Sequence, residues 1–299
     1  MKKHIYNLFL LILSVLFITA CSSDEPDYNR SVITIGNTEK TEFDKWLEAN
    51  FVNPYNIDFK YRYEDIESDF DYYVVPAEYN KAVKLAHLVK YLCVDAYNEL
   101  VDENFTCEYF PKMFFTIGEW EYKNNGTYIL GTAEGGRKIL LSGTNHLDKY
   151  INSQQSLNHY YLKTVHHEFT HILNQTKSIP TEFQLVTGNG YVADNWSEEP
   201  YETIYLTRGF ISDYAQHSYQ EDFAEMMSIY VINDAESWEA LLNEATDESA
   251  ALIRQKLDIV KNYMMTSFGI DMDILRNILQ RRQKEVLSGK IDLEDLTVK

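Results

Sequence analysis

The chain reads as α+β, with a small mixed sheet ahead of a central helix and a helical C-terminal half. Three observations predict it. Short strand-like runs lie mostly before the centre of the chain, whereas apolar residues at helical spacing dominate after it. Between the two lies Val165-His166-His167-Glu168-Phe169-Thr170-His171-Ile172-Leu173. Leu162, Val165, Phe169 and Ile172 give that stretch one apolar stripe, so it reads as a helix packed on a core.

Residues 1–20 read as a leader. Lys2 and Lys3 precede an apolar run, Leu8 to Phe17, that is too short to span a bilayer. Ile18-Thr19-Ala20-Cys21 looks like a bacterial lipobox, so Cys21 is the expected lipidated first residue of the mature chain. Ser22 rather than Asp follows it, which favours delivery to the outer membrane. Residues 21–37, including Ser23-Asp24-Glu25-Pro26-Asp27, form a lipidated acidic tether. The expectation is a lipid-anchored outer-membrane protein, with cell surface and periplasmic face both open.

Residues 38–247 are expected to form the catalytic domain. Thr41-Glu42-Phe43-Asp44-Lys45-Trp46-Leu47 opens a short helix that Asn53-Pro54 ends. Ile57-Asp58-Phe59-Lys60-Tyr61-Arg62-Tyr63 alternates as a strand does. Over 77–101, Val83, Leu85, Leu88, Leu92, Ala96 and Leu100 mark a long amphipathic helix, on which His87 reads as structural. Stretches 113–117, 128–132 and 138–142 read as strands, the last two joined into a hairpin by Glu134-Gly135-Gly136. The stretch from Lys138 to Ser142 is expected to be an antiparallel edge strand on which an extended peptide could pair its main chain. The central helix covers 157–175. A polar stretch with Gly188-Asn189-Gly190 and Trp196-Ser197-Glu198-Glu199-Pro200 has the composition of a pocket wall. Helices follow at 220–232, 235–246, 248–268 and 271–288. Residues 248–299 either cover the core or bind a partner.

Composition narrows the function. Lys and Arg number 27 against 46 Asp and Glu, a net charge of −19, which opposes binding to nucleic acid or to an anionic membrane surface. Aromatic residues make up 14% of the chain, 23 of them tyrosines, enough to build a core. Cys93 and Cys107 could bridge in an oxidising compartment or stay as two thiols.

The central helix carries the chemistry. His167 and His171 stand four residues apart, so both imidazoles leave one face a turn apart and can share an ion. Glu168 beside the first of them is placed to reach a water activated by that ion. His166 turns toward the apolar side and reads as structural. A catalytic zinc wants a third protein ligand. Asn174 and Lys177 stand where a metzincin would have glycine and histidine, so the third ligand must come from elsewhere. Glu221-Asp222-Phe223-Ala224-Glu225 offers two carboxylates on one helical face, with Glu221 for the metal and Glu225 to orient a ligand histidine. Glu198, Glu199, Glu202 and His217 are rivals for the metal.

His167-Glu168-Phe169-Thr170-His171 followed by Tyr214-Ala215 and Glu221-Asp222-Phe223-Ala224-Glu225 resembles the gluzincin core of lethal-factor-type metalloproteases. That resemblance implies a zincin-like catalytic domain, Glu221 as third ligand and Tyr214, seven residues before it, as a catalytic tyrosine; Tyr205 and Tyr219 are alternatives. A longer stretch is similar to lipoproteins assigned as zinc metallohydrolases and associated with TonB-dependent outer-membrane nutrient importers. It rests on the lipobox, Asp44-Lys45-Trp46-Leu47 with Asn53-Pro54-Tyr55-Asn56-Ile57, and Gly209-Phe210-Ile211-Ser212.

The expectation is therefore one zinc per chain, held by His167, His171 and Glu221, with Glu168 as general base and Tyr214 assisting. The substrate would be a peptide or protein, the membrane would be met through the lipid anchor, and an importer complex is an expected partner. Two other readings stand beside it: a zinc-containing lipoprotein that only binds substrate or importer, and a hydrolase of non-peptide amides or esters.

Overall fold

The computed structural model describes residues 39–67, 71–72, 74–123 and 126–298. The leader, Cys21 and the acidic tether lie outside them. Thr41–Lys299 cluster as one unit. None of the described helices is long and apolar enough to cross a membrane.

Helices of six residues or more are numbered here in chain order. The first, α1 (Glu42–Leu47), starts at a capping box in which Thr41 and Asp44 satisfy each other's backbone N–H groups. It runs through a π turn, Glu48–Val52, into Asn53–Tyr55 and then strand β1 (Asp58–Lys60). Helix α2 (Tyr79–Val89) passes through a second π turn, Lys90–Val94, into α3 (Asp95–Leu100), and α4 (Glu103–Tyr109) follows. Strands β2 (Met113–Thr116), β3 (Glu121–Tyr122), β4 (Tyr128–Ile129), β5 (Gly131–Glu134) and β6 (Lys138–Leu141) come next. His87 is buried as expected, stacked on Trp46 at a centroid distance of 4.0 Å.

The sheet is mixed and four-stranded, in the order β1-β2-β6-β5. β1, β2 and β6 run parallel, while β5 pairs with β6 antiparallel in the expected hairpin. β3 and β4 form a separate antiparallel pair. One expectation needs correcting. Lys138–Leu141 is an interior strand, paired on both sides, and the edge strands are Gly131–Glu134 and Asp58–Lys60. The reason is visible in the residues: Ile139, Leu140 and Leu141 are all buried, as an interior strand requires, whereas Gly-Thr-Ala-Glu is small and polar.

The central helix, α5 (Lys163–Thr176), continues a helical run that begins at Gln154 and crosses a third π turn, Asn158–Leu162. Its stripe of Leu162, Val165, Phe169, Ile172 and Leu173 is buried in the main core. Edge strand β5 lies directly against it. A Cβ on Gly131 would stand 2.5 Å from Thr164 Cγ2 and 2.5 Å from the Leu140 carbonyl oxygen, so only glycine lets strand and helix approach this closely.

Helix α6 (Thr181–Thr187) leads into the irregular 188–217 stretch, and α7 (Tyr219–Ile232) follows, capped by Ser218. Then come α8 (Ala235–Leu242), α9 (Asp247–Phe268) and α10 (Met272–Leu287). α7 packs on α5 and also on α9 and α10, so every side chain from Asp222 to Ile232 is buried. The last helices are thus fastened to the core. Arg276 of α10 lies 3.5 Å over the Tyr230 ring, and Arg282 bonds Glu99 and the Tyr91 carbonyl. Cys93 is buried, Cys107 is exposed, and both are free thiols.

Candidate metal centre

Helical periodicity places His167 and His171 one above the other on α5, on the side away from Phe169. The antiparallel approach of α7 brings its first turn against them. That turn is held by Ser218, whose Oγ accepts from the Glu221 N–H at 3.3 Å. His167 Nε2 and His171 Nε2 lie 3.1 Å apart, and Glu221 Oε2 stands 3.0 Å from the first and 3.1 Å from the second. Among the described residues no other group of three His, Cys, Asp or Glu side chains converges in this way. Glu198, Glu199, Glu202 and His217 are therefore not part of it.

The donor set suits zinc. With metal–ligand distances of 2.0–2.2 Å, two ligand atoms of a tetrahedral ion stand about 3.3 Å apart. Two ring nitrogens and a carboxylate oxygen at 3.0–3.1 Å from one another need only small adjustment to reach that spacing.

Further groups orient this triangle. His167 Nδ1 lies 2.9 Å from Glu225 Oε1, so the carboxylate fixes the ring from behind. Glu225 is itself held, accepting from Ser212 Oγ at 2.6 Å and pairing with Lys163 Nζ at 3.1 Å. Burial alone would raise the pKa of Glu225; the charge of Lys163 and the bond to His167 hold it well below the usual carboxylate range. Glu221 behaves likewise, its burial outweighed by hydrogen bonds from His167 and His171.

Glu168 faces a different environment. Largely buried, its carboxyl is pushed up by desolvation, an effect that nearby His167 and His171 only partly oppose. The N–H of Ala133 on edge strand β5 donates to it, so the sheet edge and Glu168 are tied together. Tyr214 also stands at the site. Its ring lies 6.0 Å from that of His167 and packs edge-on against Trp196 at 5.0 Å. Burial raises its phenol, and the carboxylates of Glu221, Glu168 and Glu225 raise it further. Tyr205 instead has Asp213 and Glu244 as its charged neighbours.

His167, Glu168, His171, Tyr214, Glu221 and Glu225 thus gather at one site. Lys163, Ser212, Ala133 and Trp196 were not singled out for these positions from sequence. Lys163 carried a usable signal, standing one turn before His167 on the same face. The others reach the site only through loops and the sheet edge.

Comparison with known proteins places the chain in a family. A family model described as "Putative zinc-binding metallo-peptidase" matches residues 36–273. The crystal structure of a putative zinc-binding metallo-peptidase from Bacteroides caccae ATCC 43185 is 38% identical, with a TM-score of 0.73. That match covers 89% of this chain and 100% of the other. No curated protein matches the chain. A helix pair presenting two histidines and a glutamate, in a mixed α+β fold shared along most of its length with such a structure, places the chain in the family of putative zinc-binding metallo-peptidases.

Proposed function

We propose that the chain is a zinc-dependent peptidase of the HExxH, gluzincin type, with His167, His171 and Glu221 as metal ligands. The observation that carries this reading is the convergence of their three donor atoms within 3.1 Å, with Glu168 adjacent in sequence to the first. Zinc bound there would supply Lewis acidity, lowering the pKa of a water toward about 7 and polarising a carbonyl.

The protein's own groups do the rest. Glu168, whose desolvation makes it more basic than an exposed glutamate, takes a proton from the attacking water and passes it to the leaving nitrogen. The Tyr214 phenol donates to the oxyanion that develops on the carbonyl. Glu225 holds the His167 ring against rotation, and Ser212 and Lys163 hold Glu225. Edge strand β5 takes the peptide-pairing role first expected of Lys138 to Ser142. Lipid anchoring through Cys21 belongs to the same proposal and is supported by the lipobox alone. Mass spectrometry of the mature N-terminus tests it, and an unmodified Cys21 would remove it.

The deciding experiment incubates the chain with a diverse peptide mixture, with and without chelator, beside Glu168→Gln. Cleavage that chelator abolishes, and that Glu168→Gln lacks while still binding zinc, is the expected result. Full activity in Glu168→Gln would overturn its role as base. Absence of cleavage by the zinc-loaded protein would turn the reading to a binding protein or a non-peptide hydrolase.

A further inference from the structure

A charged pair on the far side of the ligand helix has no part in the chemistry above. Lys256 of α9 and Asp222 of α7 form an ion pair in which both side chains are 0% exposed. The Lys256 ammonium also donates to the Gly209 carbonyl at 3.0 Å and lies 4.1 Å from the centroid of the Phe210 ring. The Tyr191 hydroxyl donates to the same Asp222 oxygen at 3.0 Å. Gly209 is left-handed, with φ of +83°, and a Cβ there would come 3.0 Å from Leu252 Cδ1 on α9. Glycine lets that carbonyl reach Lys256.

Stability does not account for such a pair. Two charges taken out of water recover their desolvation poorly, and apolar residues of similar volume often serve as well or better. Its placement is the informative part. Asp222 follows Glu221, so the two carboxylates leave α7 about 100° apart on one turn. Glu221 faces His167 and His171, while Asp222 faces α9. Gly209 opens the stretch that carries Ser212, the donor to Glu225, and Tyr214. A single ammonium therefore ties the first turn of the ligand helix to the loop bearing two other site residues.

We propose that Lys256 is a positioning residue for the metal centre. Through Asp222 and the Gly209 carbonyl it sets the rotation of the first turn of α7, and so where Glu221 stands relative to the two histidines. The same bonds seat the loop that carries Tyr214. This inference rests on the zinc-site reading, but its test does not depend on peptidase activity.

The test compares the chain with Lys256→Met and with the apolar triple variant Lys256→Met/Asp222→Leu/Tyr191→Phe. Three readouts are taken: the thermal midpoint without metal, zinc affinity by competition with a chromophoric chelator, and the visible spectrum of the cobalt-loaded form. The triple variant is expected to match or exceed the metal-free midpoint of the parent. It should bind zinc roughly 10–100-fold more weakly, with shifted cobalt bands. Unchanged affinity and spectrum in a folded variant would overturn the proposal, whatever the midpoint does. Failure of both variants to fold would overturn it too, because the pair would then be serving the fold rather than the site. A parent chain that binds zinc but cuts no peptide would sink the peptidase reading and leave this comparison intact.

Discussion

His166 and His167 are neighbours on α5, and the two faces they occupy make opposite uses of an imidazole. His166 is fully buried against Tyr97, whose hydroxyl lies 3.2 Å from its Nδ1, and burial holds its pKa down to about 3. His167 is nearly as buried, and burial pulls it down as well, but the carboxylates of Glu221 and Glu225 outweigh that and raise it to about 10. Burial alone makes an inert, neutral ring. Burial beside two carboxylates raises the ring's pKa instead and makes a place suited to a cation. The acidic residues of α7 show the same contrast. Asp222 meets a lysine and is closed off, whereas Glu221 meets the two imidazoles of the candidate metal site.

The largest expected effect tests whether the two faces are separable. Phe169→Ala removes a ring packed on Tyr97 and Phe110 at centroid distances of 5.1 and 4.3 Å, and should cost about 3–5 kcal/mol in urea unfolding. The folded fraction should still bind one zinc; loss of binding with little loss of stability would show that the faces act as one. Next comes Tyr214→Phe, which should lower kcat by about 10²–10³ with zinc affinity unchanged. A fall in affinity there would make the tyrosine a ligand support instead of an oxyanion donor.

Glu225→Gln addresses the metal face directly. It should weaken zinc binding by about 10–100-fold in a chelator competition, while His166→Gln on the core face leaves affinity where it was. Equal losses in both would erase the distinction drawn between the rings. The smallest effect is on pH dependence. The folded pKa of His166, about 3, lies below its unfolded value of 6.5, so below pH 6.5 the unfolded chain binds more protons. The contribution is whole above pH 6.5 and is lost as pH falls toward 3, with about 2 kcal/mol gone at pH 5. Urea midpoints at pH 7 and 5 for the metal-free chain and for His166→Gln measure it. An equal acid loss in both would leave His166 without this role.

Much of the fold and the six central side chains of the site were open to reading in the residues and the family resemblance. The 3.6-residue period of Leu162, Val165, Phe169 and Ile172 marked the central helix, its buried stripe and the opposite face with His167 and His171. Spacing of four also paired Glu221 with Glu225 and set His166 apart as structural. Strand order was not open to such reading. β2 and β6 pair in parallel although three strands intervene between them, and nothing local to Lys138–Leu141 states which neighbours it will take.

What the sequence determined by itself is which side chains share a face, because that follows from the geometry of a single helix or strand. Which faces meet was decided only by the tertiary structure. His167 and Glu221 are 54 positions apart, Lys256 and Asp222 are 34 apart, and Ser212 reaches Glu225 from an irregular loop. Those meetings depend on how the apolar stripes of α5, α7 and α9 pack together, a property of the whole core that no single stretch carries.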